Sequence, residues 1–197
     1  MCRLPIENDA LRVEVAQMGG NLVSVYDKQR KKELLWQGDL KTWRFQDVVI
    51  FPLIGLPGGG YDVQGKTYQF SMPHGVARWE TFAVEEHTPQ RLVLRLESNA
   101  ETLRRYPFRF CLRLIYQLTG KAYSLTYAVS CPEGGPMPYQ VGAHAGFQTA
   151  GEEVTIQFEK AEPIFCYPYD GLIHRPAELL TPDGVLKLSK KVFDEKR

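Results

Sequence analysis

The amino-acid sequence predicts an all-β protein folded as an antiparallel β-sandwich. Apolar and polar residues alternate in many short stretches, and such stretches recur about every ten residues between turn signals. No stretch carries an apolar period of 3.6 residues over the length of a helix. Alternation with a period of two is typical of strands with one buried face. A regular series of such strands is typical of a sandwich of antiparallel sheets.

The first half of the chain divides into short strands and turns. A glycine pair at 19–20 separates the first two alternating stretches, which predicts a hairpin. Residues 48–54 are apolar throughout, but Pro52 has no N–H group to donate to a neighbouring strand. This stretch is therefore expected at a sheet edge or in a buried extended segment. Strands are predicted at 11–15, 22–27, 33–36 and at two pieces within 61–70.

The second half of the chain continues the same pattern. Residues 100–105 are predicted to form a helical turn, and the other stretches alternate as strands do. No change of composition marks a linker and no repeat is visible, so a single domain is expected over residues 1–197. Strands are predicted at 78–85, 91–97, 108–118, 122–129 and 154–158.

Composition argues against several classes of protein. The 24 Lys and Arg residues balance 23 Asp and Glu residues, whereas a nucleic-acid-binding protein normally carries a basic surplus. The N-terminus lacks the apolar core of a signal peptide, and no apolar run approaches the length of a membrane span. The four cysteines are widely spaced without a Cys-x-x-Cys pair, which favours reduced thiols. A cytoplasmic protein that binds neither nucleic acid nor membrane is expected.

Two of the four histidines stand beside glycines at the edge of apolar, strand-like runs. His74 lies in segment 71–78 and His144 in segment 141–147. Imidazole titrates near physiological pH, so two such groups in one pocket are well suited to moving protons. An alternative reading is that His144 is a satisfied structural histidine and that His74 belongs to an ordinary turn.

Other candidate binding residues also have interpretations that require no ligand. Trp43 and Phe147 are aromatic residues that could stack on a ligand, but such residues are more often part of a core. Arg78 could contact a ligand or be a solvated surface residue. No His-x-His or Cys-x-x-Cys pair offers a local chelate, so no metal site is expected. His87 and His174 have polar or turn neighbours and are expected at the surface.

Six segments of the chain form a recognisable set, namely residues 20–27, 33–38, 51–55, 74–78, 106–108 and 142–144. Together they resemble the aldose 1-epimerase (galactose mutarotase-like) family, in particular its LacX-type and hexose-6-phosphate epimerase-like branch. The resemblance extends over nearly the whole chain, and the order and spacing of the segments agree as well as their content.

This resemblance implies a supersandwich of antiparallel sheets with a sugar cleft on one concave face. It implies interconversion of the α and β anomers of a hexose or hexose phosphate, without metal or other cofactor. His144 would be the acid that protonates the ring oxygen, and His74 would bind and polarise the sugar near the same atom. Arg78, Phe147 and Trp43 would contact the substrate, in a monomer or homodimer.

The sequence departs from the family pattern at two places. The family's general base is a glutamate close to the C-terminus, and the chain stops at Arg197 before that motif would arrive. The sandwich is therefore expected to be incomplete at its C-terminal end. Leu56 stands where relatives usually carry an arginine. The alternative function is a non-catalytic carbohydrate-binding or interaction module that has lost the general base.

Overall fold

The structure is a computed structural model of the chain. It describes residues 2–56, 58, 60–149, 154–160, 165–166, 177–178 and 184–188. The chain divides into two compact units, Met1–Gln148 and Thr149–Arg197. Each unit is described by itself.

The first sheet of unit 1 is formed by the N-terminal strands in the order of the sequence. Its residues alternate between buried and accessible positions, so that Val13 of the second strand is fully buried while Arg12 is exposed. All neighbouring strands are antiparallel. The four strands are β1 (Arg3–Glu7), β2 (Leu11–Ala16), β3 (Leu22–Asp27) and β4 (Lys32–Glu33).

Shorter elements connect the two main sheets. The strands β6 (Tyr61–Val63) and β7 (Lys66–Tyr68) form a hairpin. The strand β5 (Val49–Ile50) pairs with β12 (Gly142–Ala143), far along the sequence. A 3-10 turn at Ala77–Trp79 precedes the second sheet.

The second sheet of unit 1 contains the longest strands. Its spatial order is β11-β10-β9-β8, with all neighbours antiparallel. The short helix α1 (Ala100–Arg105) begins at Asn99, whose side chain accepts hydrogen bonds from the backbone N–H groups of Glu101 and Thr102. Such a cap satisfies amides that have no partner inside the helix. The strands are β8 (Ala83–His87), β9 (Arg91–Glu97), β10 (Cys111–Thr119) and β11 (Ala122–Ser130).

The core of unit 1 lies between these two sheets. Leucines of β9 and β10 face one another in register and are buried together with apolar residues of β2 and β3. Tyr116 is fully buried, and its hydroxyl donates a 2.6 Å hydrogen bond to the carbonyl oxygen of Gly20. This bond joins β10 to the turn between β2 and β3. Because a buried hydroxyl without a partner is costly, the bond also accounts for a tyrosine at this position.

Within the residues that the structure describes, unit 2 contains two short antiparallel pairs of strands. β13 (Val154–Gln157) pairs with β16 (Val185–Leu188), and β14 (Phe165–Cys166) pairs with β15 (Ala177–Glu178). His174 also belongs to this unit and lies outside the described residues.

The structure confirms the all-β antiparallel sandwich. It also differs from the sequence prediction at particular elements. The prediction did not include β1, and the strand expected at 78–85 begins instead as the 3-10 turn and becomes a strand at Ala83. The extended segment with Pro52 contributes the two paired residues of β5. The single domain expected over 1–197 stays a prediction.

Candidate active site

The two histidine segments meet at residues 47–51, a buried stretch around β5. On one side, β12 pairs with β5, and the backbone N–H of His144 donates to the carbonyl oxygen of Val48 at 3.1 Å. At the other end, the backbone N–H of Phe51 donates to the carbonyl oxygen of His74 at 3.3 Å. One stretch of backbone therefore holds both histidines.

The turn that carries His74 has an unusual backbone. His74 and Gly75 have φ angles of +72° and +76°, in the left-handed region. The carbonyl oxygen of Phe51 accepts hydrogen bonds from the backbone N–H groups of Val76 and Ala77, at 2.8 and 3.2 Å. A Cβ atom at Gly75 would lie 2.2 Å from this oxygen. Glycine is therefore required here both by the φ angle and by the close approach of the chain.

The imidazole of His74 is fixed by the backbone of Gly55. The Gly55 N–H lies 3.2 Å from the Nδ1 atom of His74, which accepts its hydrogen, and the His74 N–H donates to the Gly55 carbonyl oxygen at 2.8 Å. Nδ1 therefore carries a lone pair, and the proton of the neutral ring is on Nε2. Burial, with the charges of His144 and Arg78 nearby, lowers the pKa of His74. His74 is thus arranged as a neutral hydrogen-bond donor through Nε2.

His144 lies opposite His74. The centroids of the two imidazoles are 5.5 Å apart and their planes meet at 64°. His144 is exposed, whereas His74 is half-buried. The two rings form a face with one sheltered imidazole and one that solvent or a ligand can reach.

Trp43 forms the third part of this face. Its ring centroid is 5.1 Å from that of His144, with an angle of 36° between the planes. Trp36 fixes the Trp43 backbone by donating from its indole N–H to the Trp43 carbonyl oxygen at 2.7 Å. Gly146 leaves room for the ring, because a Cβ atom there would lie 2.9 Å from it. The half-buried indole is placed as a flat wall beside His144.

Arg78 lies next to this face, on the side of His74. Its guanidinium carbon is 4.7 Å from the centroid of the Phe45 ring, and that of Arg44 is at the same distance. Burial and the charge of Arg44 lower the pKa of Arg78. Its Nη1 atom is 3.5 Å from the carbonyl oxygen of Pro73, a long contact. No ion pair is found for Arg78 within the described part of the chain.

The other sequence-predicted residues lie differently. Phe147 is 66% exposed, and its backbone bridges to Leu35. Over the described residues, no ring contact joins Phe147 to either histidine. His87 is exposed, as expected, with Nε2 located 2.7 Å from the carbonyl oxygen of Pro5.

Sequence reasoning missed three residues of this region, Arg44, Phe45 and Asp47. Asp47 is 1% exposed, and its carboxylate accepts hydrogen bonds from the backbone N–H groups of Leu22 and His144. Burial raises the pKa of Asp47, although the hydrogen bonds from the backbone oppose that shift. The signal available in the sequence was a lone acidic residue directly before an apolar run.

A separate cavity of about 300 Å³ lies in unit 1, and neither histidine lines it. The ring of Tyr61 stacks on that of Phe70 at its wall, with centroids 5.6 Å apart. Its lining is largely aromatic and includes Pro52, Leu53, Tyr61, Phe70, Tyr106 and Tyr139. The histidine face is therefore a distinct feature of the surface.

The described residues offer neither a cluster of metal ligands nor a membrane-spanning helix. They contain no group of three or more His, Cys, Asp or Glu side chains placed to hold a metal ion. No helix among them is long and apolar enough to cross a membrane.

Comparison with known proteins identifies relatives of this chain. The family model for aldose 1-epimerase matches residues 3–170. The chromosomal and plasmid LacX proteins of Lactococcus lactis subsp. lactis are each 30% identical to the chain over 171 residues. Those matches cover 81% of this chain and 57% of either LacX protein. The chain thus spans less than two thirds of the length of these curated relatives.

Solved structures agree with the family match. A galactose mutarotase related enzyme from Lactobacillus acidophilus superposes with a TM-score of 0.89 at 27% identity, over 99% of this chain and 68% of the other. A galactose mutarotase-like protein from Lactobacillus casei gives a TM-score of 0.83, also at 27% identity, over 95% of this chain and 67% of the other.

Proposed function

Since the chain belongs to the aldose 1-epimerase family, we propose that it acts on a hexose or hexose phosphate and promotes exchange between its α and β anomers. His144 is the general acid of this reaction, and His74 is the donor that holds and polarises the ring oxygen. Trp43 supports one face of the sugar. Arg78 contacts hydroxyl or phosphate oxygens at the edge of the site, and Phe147 closes the exposed side.

The observation that carries this proposal is the pair of imidazoles 5.5 Å apart on one accessible face. An oxygen atom between two rings at this separation can be within hydrogen-bond reach of both. The Nε2–H of neutral His74 is free to donate, because Gly55 occupies Nδ1. A donor that stays neutral can polarise the ring oxygen without competing with His144 for the proton.

The chemical steps follow from these positions. His144 transfers a proton to the ring oxygen while the bond between that oxygen and the anomeric carbon breaks and the anomeric hydroxyl gives its proton to water. The open aldehyde rotates about the bond next to the anomeric carbon. The hydroxyl oxygen then attacks the other face of the carbonyl, the carbonyl oxygen takes a proton from water, and His144 takes back its proton. Each well-placed acid or base contributes about 10²–10⁴-fold to such a reaction.

In these steps water receives the proton of the anomeric hydroxyl. Asp47 is bonded to backbone amides and is 1% exposed, so its carboxylate does not reach a sugar. This observation favours a second candidate function, a module that binds a hexose without turning it over.

Nuclear magnetic resonance of freshly dissolved α-glucose and α-galactose tests the proposal. The 197-residue chain is expected to increase the rate of anomer exchange in proportion to its concentration. An exchange rate equal to that of buffer would contradict turnover. Sugar-induced shifts in the protein spectrum without faster exchange would then identify the binding module.

A further inference from the structure

Asp47 is an acidic side chain with almost no access to solvent. Burying an ionised carboxylate is costly unless hydrogen bonds replace its lost water. Here they come from the backbone. Its Oδ2 atom accepts from the N–H of Leu22 at 3.2 Å, and its Oδ1 atom accepts from the N–H of His144 at 3.0 Å. The Val48 amide adds a further favourable interaction.

These contacts join three segments that are distant in sequence. Leu22 begins β3 of the first sheet, Asp47 lies two residues before β5, and His144 directly follows β12. The N–H of His144 is shared between the Asp47 carboxylate and the Val48 carbonyl oxygen. β12 has only two paired residues, so its ladder alone gives His144 little support.

The chemistry of the position explains why an acid is suited to it. An ionised carboxylate offers two oxygens and no donor, so it can accept from Leu22 and His144 at once. An asparagine would present an NH₂ group to one of these two N–H groups. An apolar residue would leave both amides without this acceptor, at a cost for each buried group.

We propose that Asp47 is the positioning residue that holds His144 opposite His74. It acts through the backbone and does not touch the sugar. This inference rests on the proposed function, because His144 is there the general acid and must lie beside the ring oxygen. The distance between the two rings can be measured whether or not the chain turns over a sugar.

The test is the Asp47→Asn variant of the whole chain. We expect the nuclear Overhauser effect between the ring protons of His74 and His144 to be lost, because one of the anchored segments must move away from the new NH₂ group. Under the proposed function, kcat for anomer exchange should fall by about 10- to 100-fold, since a displacement near 1 Å can have an effect of this size. KM should change less than kcat.

Asn8→Ala is the matched control. The Asn8 side chain likewise accepts from two backbone N–H groups, those of Ala10 and Leu11, but its partners are remote from the histidine face. This variant should lose stability while keeping the ring-to-ring signal and kcat. A folded Asp47→Asn protein with the ring-to-ring signal at wild-type intensity would overturn the proposal.

The outcomes separate this inference from the function on which it rests. If the wild-type chain shows no anomer exchange, the proposed function fails, and the ring-to-ring signal still decides the role of Asp47. If that signal is lost while kcat is unchanged, Asp47 positions His144 but His144 is not the acid.

A measurement on the wild-type chain covers the case in which Asp47→Asn does not fold. The amide proton signals of Leu22 and His144 should move together with the carboxyl carbon signal of Asp47 as the pH is lowered. Amide signals that do not follow that carbon signal would contradict the proposal.

Discussion

Replacing His144 by glutamine is expected to slow anomer exchange by about 10²–10⁴-fold, the usual contribution of a positioned acid or base. Glutamine retains a hydrogen-bond donor on a side chain of similar size, but it cannot release a proton and take it back. The exposed position of His144 makes a large effect on stability unexpected. The loss should therefore appear in kcat, while sugar binding changes less. Magnetisation exchange between the anomer signals measures it.

His87→Gln is the control for that experiment. His87 is also exposed, and its ring contacts the carbonyl oxygen of Pro5, away from the histidine face. This variant should exchange anomers at the wild-type rate, which shows that imidazole at the protein surface is not sufficient. Equal rates in His144→Gln and the wild-type chain would remove His144 from the mechanism.

Replacing Gly75 by alanine is expected to destabilise unit 1 strongly. The left-handed backbone costs a non-glycine residue about 1–2 kcal/mol, and overpacking in a closed structure costs about 1–3 kcal/mol more. The second contribution arises because the new Cβ atom would lie 2.2 Å from the Phe51 carbonyl oxygen, a backbone atom in the buried scaffold. We expect a loss of about 2–5 kcal/mol in the free energy of unfolding. Urea denaturation measures this loss.

Gly65→Ala separates the two contributions. Gly65 has a φ angle of +78°, close to that of Gly75, but a Cβ atom there would meet nothing within 4 Å. Its substitution should cost only the backbone term of about 1–2 kcal/mol. Equal losses in the two variants would show that the close approach of Phe51 to Gly75 contributes nothing. His74 adjoins Gly75, so only Gly75→Ala should also weaken sugar binding.

Much of the sandwich could be predicted from the sequence, because strand alternation is a local signal. Along β10, buried residues alternate with more accessible ones from Leu112 to Thr119, whereas Val93 interrupts the alternation in β9 because it is buried as well. The helical turn at 100–105 was also predicted correctly. These elements have ordinary lengths and one buried face, which are the conditions under which periodicity is informative.

The elements that were missed depend on tertiary contacts. β1 contains Pro5, which argues against a central strand, but β1 lies at the edge of its sheet, where proline is tolerated. At the start of the 3-10 turn Ala77–Trp79, the backbone N–H groups of Val76 and Ala77 donate hydrogen bonds to the Phe51 carbonyl oxygen. Because Phe51 is remote from the turn in the sequence, the residues around the turn do not reveal this hydrogen-bond acceptor.

The candidate site, too, is predictable from the sequence only in part. His74 and His144 could be selected from their glycine-flanked segments and from the family resemblance. Their meeting depends on the two-residue pairing of β5 with β12, which is too short to be read from alternation. Asp47 was missed because a carboxylate beside an apolar run normally lies in solvent, whereas in this fold backbone amides from two distant segments replace the water.

A hexose titration, followed on the nuclear magnetic resonance signals of the histidine rings, tests whether His74 and His144 bind the same sugar. We expect the signals of His74 and His144 to move together along one saturation curve, while those of His87 stay in place. Such a result would mean that a single bound sugar lies against both imidazoles. Movement of only one of the two rings, or of neither, would contradict it.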